Sequence, residues 1–166
     1  MELMDLLWAY IVVFVMAAIP FFEAFGVIAL GMLAGLPEIP VIIISLLGNI
    51  ATVLLLILFI NKIKEWRRRK KGEAADKEPK KRALRAKNLW NKYGLPGLSL
   101  IGPLFVGSHL TAFMCLSLGG TKKKTTIWML TSIILWGLIF ALLTHAGIDF
   151  LNYENQNFFK DIISKN

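Results

Sequence analysis

KIKEWRRRKKGEAADKEPKKRALRAKNLWNK, residues 62–92, decides how the rest of the chain is read. It carries 14 lysines and arginines against four acids, a net charge of +10 in a protein whose total is +8. Everything outside it sums to −2, and it separates two long uncharged runs, residues 39–60 (22 residues) and 94–121 (28 residues). About 20 apolar residues suffice to cross the hydrocarbon of a bilayer, and short basic loops beside such runs stay in the cytoplasm. The block is therefore expected to be a cytoplasmic linker between membrane segments, which accounts for its charge without nucleic acid as a partner. Within it, Arg67, Arg68, Arg69, Lys70 and Lys71 follow Trp66 near the end of a span, where each basic residue gains about 1 kcal/mol from anionic head groups. Residues 72–81 are polar, contain Pro79, and are expected to be the least rigid part.

Composition agrees with a membrane setting. Of 166 residues 56% are hydrophobic and 18% charged, against about a quarter charged in soluble domains, and mean hydropathy is +0.61. Residues 125–148 add a 24-residue uncharged run; residues 6–22 add 17 more, and after Glu23 the apolar run resumes over 24–37. The expected fold class is an all-α integral membrane protein of the plasma or inner membrane, with no separate soluble domain. A signal peptide would need a basic start, and the chain begins Met1-Glu2-Leu3-Met4-Asp5, so the first run is expected to be retained. Cys115 is the sole cysteine and lies in an apolar run, which makes it a small packing residue.

A cytoplasmic linker orients the rest. Residues 39–60 must run from outside to inside, so the short connection at 36–40 is external. Residues 6–36 then contain two arms of about 15 residues, about 22 Å each at 1.5 Å per residue, short of a hydrocarbon core of about 30 Å. They form either one long broken span or a re-entrant hairpin, and Pro20 breaks the helix near the middle. Residues 94–120 are interrupted at Gly102-Pro103-Leu104-Phe105-Val106-Gly107-Ser108-His109 and followed by Lys122-Lys123-Lys124. Those lysines stay inside if the segment is a hairpin entering from the cytoplasm. Both halves then share one plan in opposite orientation: two inverted repeats, each a re-entrant helical hairpin followed by a transmembrane helix. An offset of 85 lays Leu33-Ala34-Gly35-Leu36 on Leu118-Gly119-Gly120-Thr121 and places Glu23 opposite Ser108. The expected divisions are 1–61, the linker 62–92, 93–147, and an amphipathic or interfacial tail at 148–166. Paired Gly/Pro-interrupted segments at matching positions point to a transporter binding site.

The few polar residues in these runs are the candidate substrate or proton path: Pro20, Glu23, Asn49, Pro103, Gly107, Ser108 and His109. A carboxylate at depth costs about 2.5 kcal/mol or more unless protonated, paired or hydrated. Either Glu23 reaches that depth and exchanges protons, or its arm lies shallow and Glu23 sits at the interface. His109, near the second tip, is a titratable group or a hydrogen-bonded packing residue. Asn49 shares a small, polar stripe with Ser45, Gly48 and Thr52, the composition of a close helix contact. His145 falls toward the outer end of the last span. Two isolated histidines give no metal site and no cofactor is expected. No nucleophile with a base and no paired acids stand at either tip, so an enzyme is not expected.

The order Ile19-Pro20, Glu23, a glycine-rich arm to Gly35-Leu36-Pro37, Leu47-Gly48-Asn49, a basic linker, Lys92-Tyr93-Gly94-Leu95-Pro96-Gly97-Leu98 and the stretch 103–111 resembles the small multi-drug export protein family. That family is in turn similar to the DedA/SNARE-associated membrane proteins. The likeness covers roughly residues 15–147 and implies facing re-entrant hairpins and lipid translocation or proton-dependent transport. Here Ala24-Phe25-Gly26 follows the glutamate where the resemblance leads one to expect an arginine. The second tip likewise departs from a Pro-x-Pro-Gly-Thr-Gly-like stretch. A transporter or lipid translocator, with membrane lipids and a small-molecule or lipid substrate as partners, is the leading expectation. The alternative is a scaffold or assembly factor that binds anionic lipid or a partner through the linker. A homodimer is the expected assembly.

Overall fold

The computed structural model describes the backbone of residues 3–71 and 81–164, and side chains for residues 4–60, 62, 88 and 90–149. The expected least rigid stretch, over residues 72–80, and the side chains of Arg67, Arg68, Arg69, Lys70 and Lys71 lie outside the described residues, as do the side chains of the tail from residue 150. What is described is all-helical: α1 Leu3–Ala18, α2 Ala24–Leu33, α3 Glu38–Lys71, α4 Lys81–Val106, α5 Ser108–Ser117 and α6 Lys122–Ser164.

Two of these helices contain stretches long and apolar enough to cross a membrane, Glu38–Ile60 in α3 and Lys122–Asp149 in α6. Between their ends the exposed surface is almost wholly apolar: Ile39, Leu58, Leu142 and Leu143 are all more than 60% exposed. A soluble protein rarely shows contiguous apolar surface on this scale, so the chain is a membrane protein. The long helices run antiparallel and are tied at both ends. His145 Nδ1 lies 2.8 Å from Glu38 Oε1 at one end, and Lys122 Nζ donates to the Leu58 carbonyl oxygen at 2.8 Å at the other.

Breaks in the apolar runs set the short helices. Pro20 offers no backbone N–H, and α1 ends at Ala18 in a turn where Phe21 (φ 87°) and Glu23 (φ 43°) take left-handed backbone. The second break falls at Gly107 (φ 91°), which separates α4 from α5. Within α4, Gly94 (φ 65°) makes a further kink just before Pro96. After each short helix the chain stops in the same way. Gly35 follows α2 at φ 79°, with Leu36 N–H donating to the Gly31 carbonyl (3.1 Å) and Gly35 N–H to that of Met32 (3.0 Å). After α5, Gly119 stands at φ 108° and Gly120 N–H donates to the Cys115 carbonyl at 2.8 Å. The crossed pair of bonds after α2, and its outer bond after α5, are the glycine-dependent helix stop of the Schellman type.

Around each break the chain doubles back. Tyr10 of α1 packs in the same cluster as Leu36 beyond α2, and Trp90 of α4 packs in the same cluster as Leu118 beyond α5. The central cluster draws on both halves: Ala24 from α2, Val53 and Ile57 from α3, Ala112 from α5, and Met129 and Ile133 from α6. Helix α1 lies on α3 and α4 lies on α6, while α2 and α5 each touch both long helices. Lipid tails offer no hydrophobic driving force between helices, so close approach of small residues carries much of this packing. Gly48 is the clearest case, since a Cβ there would stand 2.5 Å from the Phe14 carbonyl oxygen of α1.

Helix boundaries give a different correspondence from the one that the turn residues suggest. By helix boundaries Glu23 precedes α2 as Gly107 precedes α5, and Gly35 follows α2 as Gly119 follows α5, an offset of 84. Glu23 and Ser108, paired by the offset of 85, are instead in direct contact.

Candidate functional site

The two breaks meet. Glu23 is the N-cap residue of α2, yet its side chain makes no bond to its own helix. It reaches across to α5, where Oε1 accepts a hydrogen bond from the Ser108 backbone N–H at 2.7 Å, between residues 85 apart in sequence. The N-cap of α5 is Gly107, which has no side chain to offer. One half therefore supplies the cap that the other lacks. The first N–H groups of a helix have no partner within it and carry its positive dipole end, which favours an anion. A carboxylate accepting such a bond makes a charge-assisted contact, roughly twice as strong as a neutral one.

Gly107 is needed twice over. Its φ of 91° is left-handed backbone, and a Cβ at that position would stand 3.0 Å from Glu23 Oε1. Any side chain there would strain the turn and crowd the carboxylate.

A third element closes the contact. Asn49, from the middle of α3, donates from Nδ2 to Glu23 Oε2 at 3.4 Å and accepts from Ser108 Oγ at its Oδ1 at 3.0 Å. Ser108 Oγ also lies 3.3 Å from His109 Nδ1, and His109 Nε2 lies 2.9 Å from Thr52 Oγ1, one turn along α3. Glu23, Asn49 and Ser108 are buried to 6%, 1% and 0% exposure, so this network sits at the centre of the molecule. The asparagine that composition alone assigns to helix packing thus holds both tips.

Beside the network is a cleft of about 340 Å³, lined by Phe21, Phe22, Glu23, Phe25 and Gly26 from the first tip and by residues 103–107 from the second. That volume falls within the roughly 300–1,000 Å³ of small-molecule sites.

Of the residues singled out in the sequence, Glu23, Asn49, Ser108 and His109 form one bonded cluster, and Pro103 and Gly107 line the cleft beside it. Pro20 is exposed in the first turn and takes no part in these bonds or in the lining. Thr52, counted with the α3 packing stripe, belongs to the cluster through His109. Sequence reasoning also passed over Phe21, Phe22, Phe25 and Phe105, although Phe21 and Phe22 directly follow Pro20 and Phe105 stands between Pro103 and Gly107. His145 lies outside the site, exposed, between Glu38 and Asp149.

The model of a family described as "Putative small multi-drug export protein" matches residues 23–139, from the first tip through most of the last span. No curated protein matches the chain, and no solved structure does.

Proposed function

The chain belongs to that small multi-drug export protein family, and on this premise we propose a multi-pass transporter or lipid translocator of the plasma or inner membrane. Substrate passes between the two tips, and Glu23 exchanges a proton with that passage. The observation that carries the reading is the buried carboxylate of one broken tip bonded to the backbone of the other. A contact of this kind closes the centre of the molecule and opens when the carboxylate changes partner. Buried ionisable groups at membrane depth are costly and mark such pathways.

Several features support the proposed topology of two inverted repeats with re-entrant hairpins. Helices α2 and α5 have ten residues each, about 15 Å, half of what a span requires. Each is followed by a long helix, and the two long helices are antiparallel. Every helix contact in one half has its counterpart when the halves are exchanged: α1 with α3 answers to α4 with α6, and α2 with α6 answers to α5 with α3. Lys122 bonds near the end of α3 that leads into the basic linker, which gathers the positive charge on one side, proposed to be cytoplasmic. The likeness to DedA proteins, contacts of the linker with anionic lipid, and a homodimer belong to the same proposal.

Two measurements on the full chain test it. In a Cys115→Ser background, single cysteines at positions 75 and 123 should label only from the cytoplasm, and those at 5, 38 and 155 only from outside. In proteoliposomes with a pH-sensitive dye inside, organic compounds that move protons through the wild type should fail with Glu23→Gln. Labelling of position 123 from outside overturns the topology. Proton movement indifferent to Glu23→Gln overturns the mechanism and favours a scaffold, in which neutralising Arg67, Arg68, Arg69, Lys70 and Lys71 is the change that matters.

A further inference from the structure

Glu23, Asn49, Ser108, His109 and Thr52 form a chain of side-chain contacts between the tips, with the Ser108 side chain also beside the Glu23 carboxylate, and each link has a direction. With Glu23 a carboxylate, Asn49 must turn Nδ2 toward Oε2 (3.4 Å), which aims its Oδ1 at Ser108 Oγ (3.0 Å). The single hydroxyl proton of Ser108 then goes to Asn49 or to the carboxylate itself, and in either case Ser108 Oγ is left to accept from His109 Nδ1 at 3.3 Å. Neutral His109 therefore carries its proton on Nδ1, and its Nε2 accepts from the Thr52 hydroxyl at 2.9 Å.

A proton on Glu23 reverses every link. The carboxylic acid donates to Asn49 Oδ1 once the amide has flipped, a nearly isosteric change. Asn49 Nδ2 then donates to Ser108 Oγ, and Ser108 donates to His109 Nδ1. His109 now carries its proton on Nε2 and donates to Thr52 Oγ1. The Thr52 hydroxyl needs another acceptor, and two are in place: the carbonyl oxygens of Asn49 at 3.0 Å and Gly48 at 3.2 Å. In both arrangements each side-chain nitrogen and oxygen that links the chain has a donor facing an acceptor, and the Ser108 backbone N–H stays on Glu23 Oε1. Mixed arrangements leave a donor or acceptor of the chain without a partner, or set two lone pairs or two protons against each other.

We infer that His109 and Thr52 are positioning residues for Glu23: the tautomer of His109 reports and stabilises the protonation state of the carboxylate, across the contact between the tips. The inference deepens the reading of Glu23 as the proton-exchanging group and rests on it. Its balance is one proton gained at Glu23. His109 stays neutral, losing the proton on Nδ1 and taking one on Nε2 by exchange with water in the proposed passage, toward which this half-buried ring keeps some exposure. Asn49 is an amide, so the chain is a line of oriented dipoles and not a proton wire. Among the described side chains, the other charged or titratable groups on the elements packed against α5 are Glu38, Lys62, Lys92, Tyr93, Lys122, Lys123, Lys124, His145 and Asp149, and none of these has a hydrogen bond to a member of the chain. Cys115, on α5 itself, bonds to Ser99.

The test is nitrogen NMR of the full chain in lipid nanodiscs, with ¹⁵N-labelled histidine and His145→Gln to assign the second ring. At alkaline pH the wild type should show a protonated Nδ1 and an unprotonated Nε2. Glu23→Gln, whose amide donates to Asn49 as the acid would, should show the reverse at the same pH. Ser108→Ala cuts the chain, so Glu23→Gln in that background should leave the tautomer of Ser108→Ala alone unchanged. If Glu23→Gln does not fold, the wild type taken to acid pH should pass from the Nδ1-protonated to the Nε2-protonated ring before the doubly protonated one appears. The same tautomer in wild type and Glu23→Gln, or its direct conversion to the doubly protonated ring, overturns the inference. Transport does not enter the readout, so a chain that switches and moves no substrate sinks the proposed function alone, and a transporter with a fixed tautomer sinks this inference alone.

Discussion

At the first tip the chain turns with two non-glycine residues in left-handed backbone, Phe21 at φ 87° and Glu23 at φ 43°, whereas the second tip turns at Gly107 alone, at φ 91°. Left-handed conformations cost non-glycine residues about 1–3 kcal/mol each, while glycine adopts them freely. The expensive turn is the one that presents chemistry: it places a phenylalanine on the cleft and a carboxylate in the core. The cheap turn is receptive, offering a bare backbone N–H and room for the acid. In two halves with the same order of helices, strain marks the half that supplies the carboxylate, and absence of a side chain marks the half that receives it.

Putting a side chain on the receptive tip should have the largest effect. Gly107→Val adds a Cβ 3.0 Å from Glu23 Oε1 and forces a branched residue into left-handed backbone, so it should cost roughly 2–3 kcal/mol, read as a lower midpoint in thermal unfolding of the detergent-solubilised protein. Glu23→Ala breaks the contact from the other side. It leaves the Ser108 N–H buried without an acceptor, for about 2 kcal/mol, and Glu23→Gln should recover most of that loss, since its carbonyl can still accept. A full loss with Gln as well would mean that charge and not capping holds the tips together. Ser108→Ala keeps the backbone bond and removes the link to Asn49, so about 1 kcal/mol is expected. The smallest effect has the opposite sign. Phe21→Gly relieves a strained turn at a residue that is 70% exposed and should raise the unfolding midpoint by the equivalent of up to about 1 kcal/mol.

The parts that the sequence discloses are those with local signals. The helix breaks follow from Pro20 and from the stretch around Gly102, Pro103 and Gly107. Glu23 stands out because a lone acid in an apolar run has few uses. The membrane setting follows from run lengths and from the charge of residues 62–92. Left-handed backbone at Phe21 has no such signal, because phenylalanine is not a turn former. The cross-tip cap has none either, since it joins residues 85 apart, and an alignment by turn residues puts Glu23 opposite Ser108 where the helix boundaries put it opposite Gly107. Thr52 reads as a packing residue because its stripe on α3 is small and polar for both reasons at once: Gly48 admits α1, and Asn49 and Thr52 face α5.

The cap that α5 borrows also fixes an order of assembly. Synthesis delivers Glu23 before the linker and before Ser108. The later segment then arrives with a helix end that only the earlier one can complete. A gene cut within residues 72–80 should therefore yield two fragments of unequal fate. The first is able to wait for its partner, and the second is exposed to quality-control proteases until it finds one.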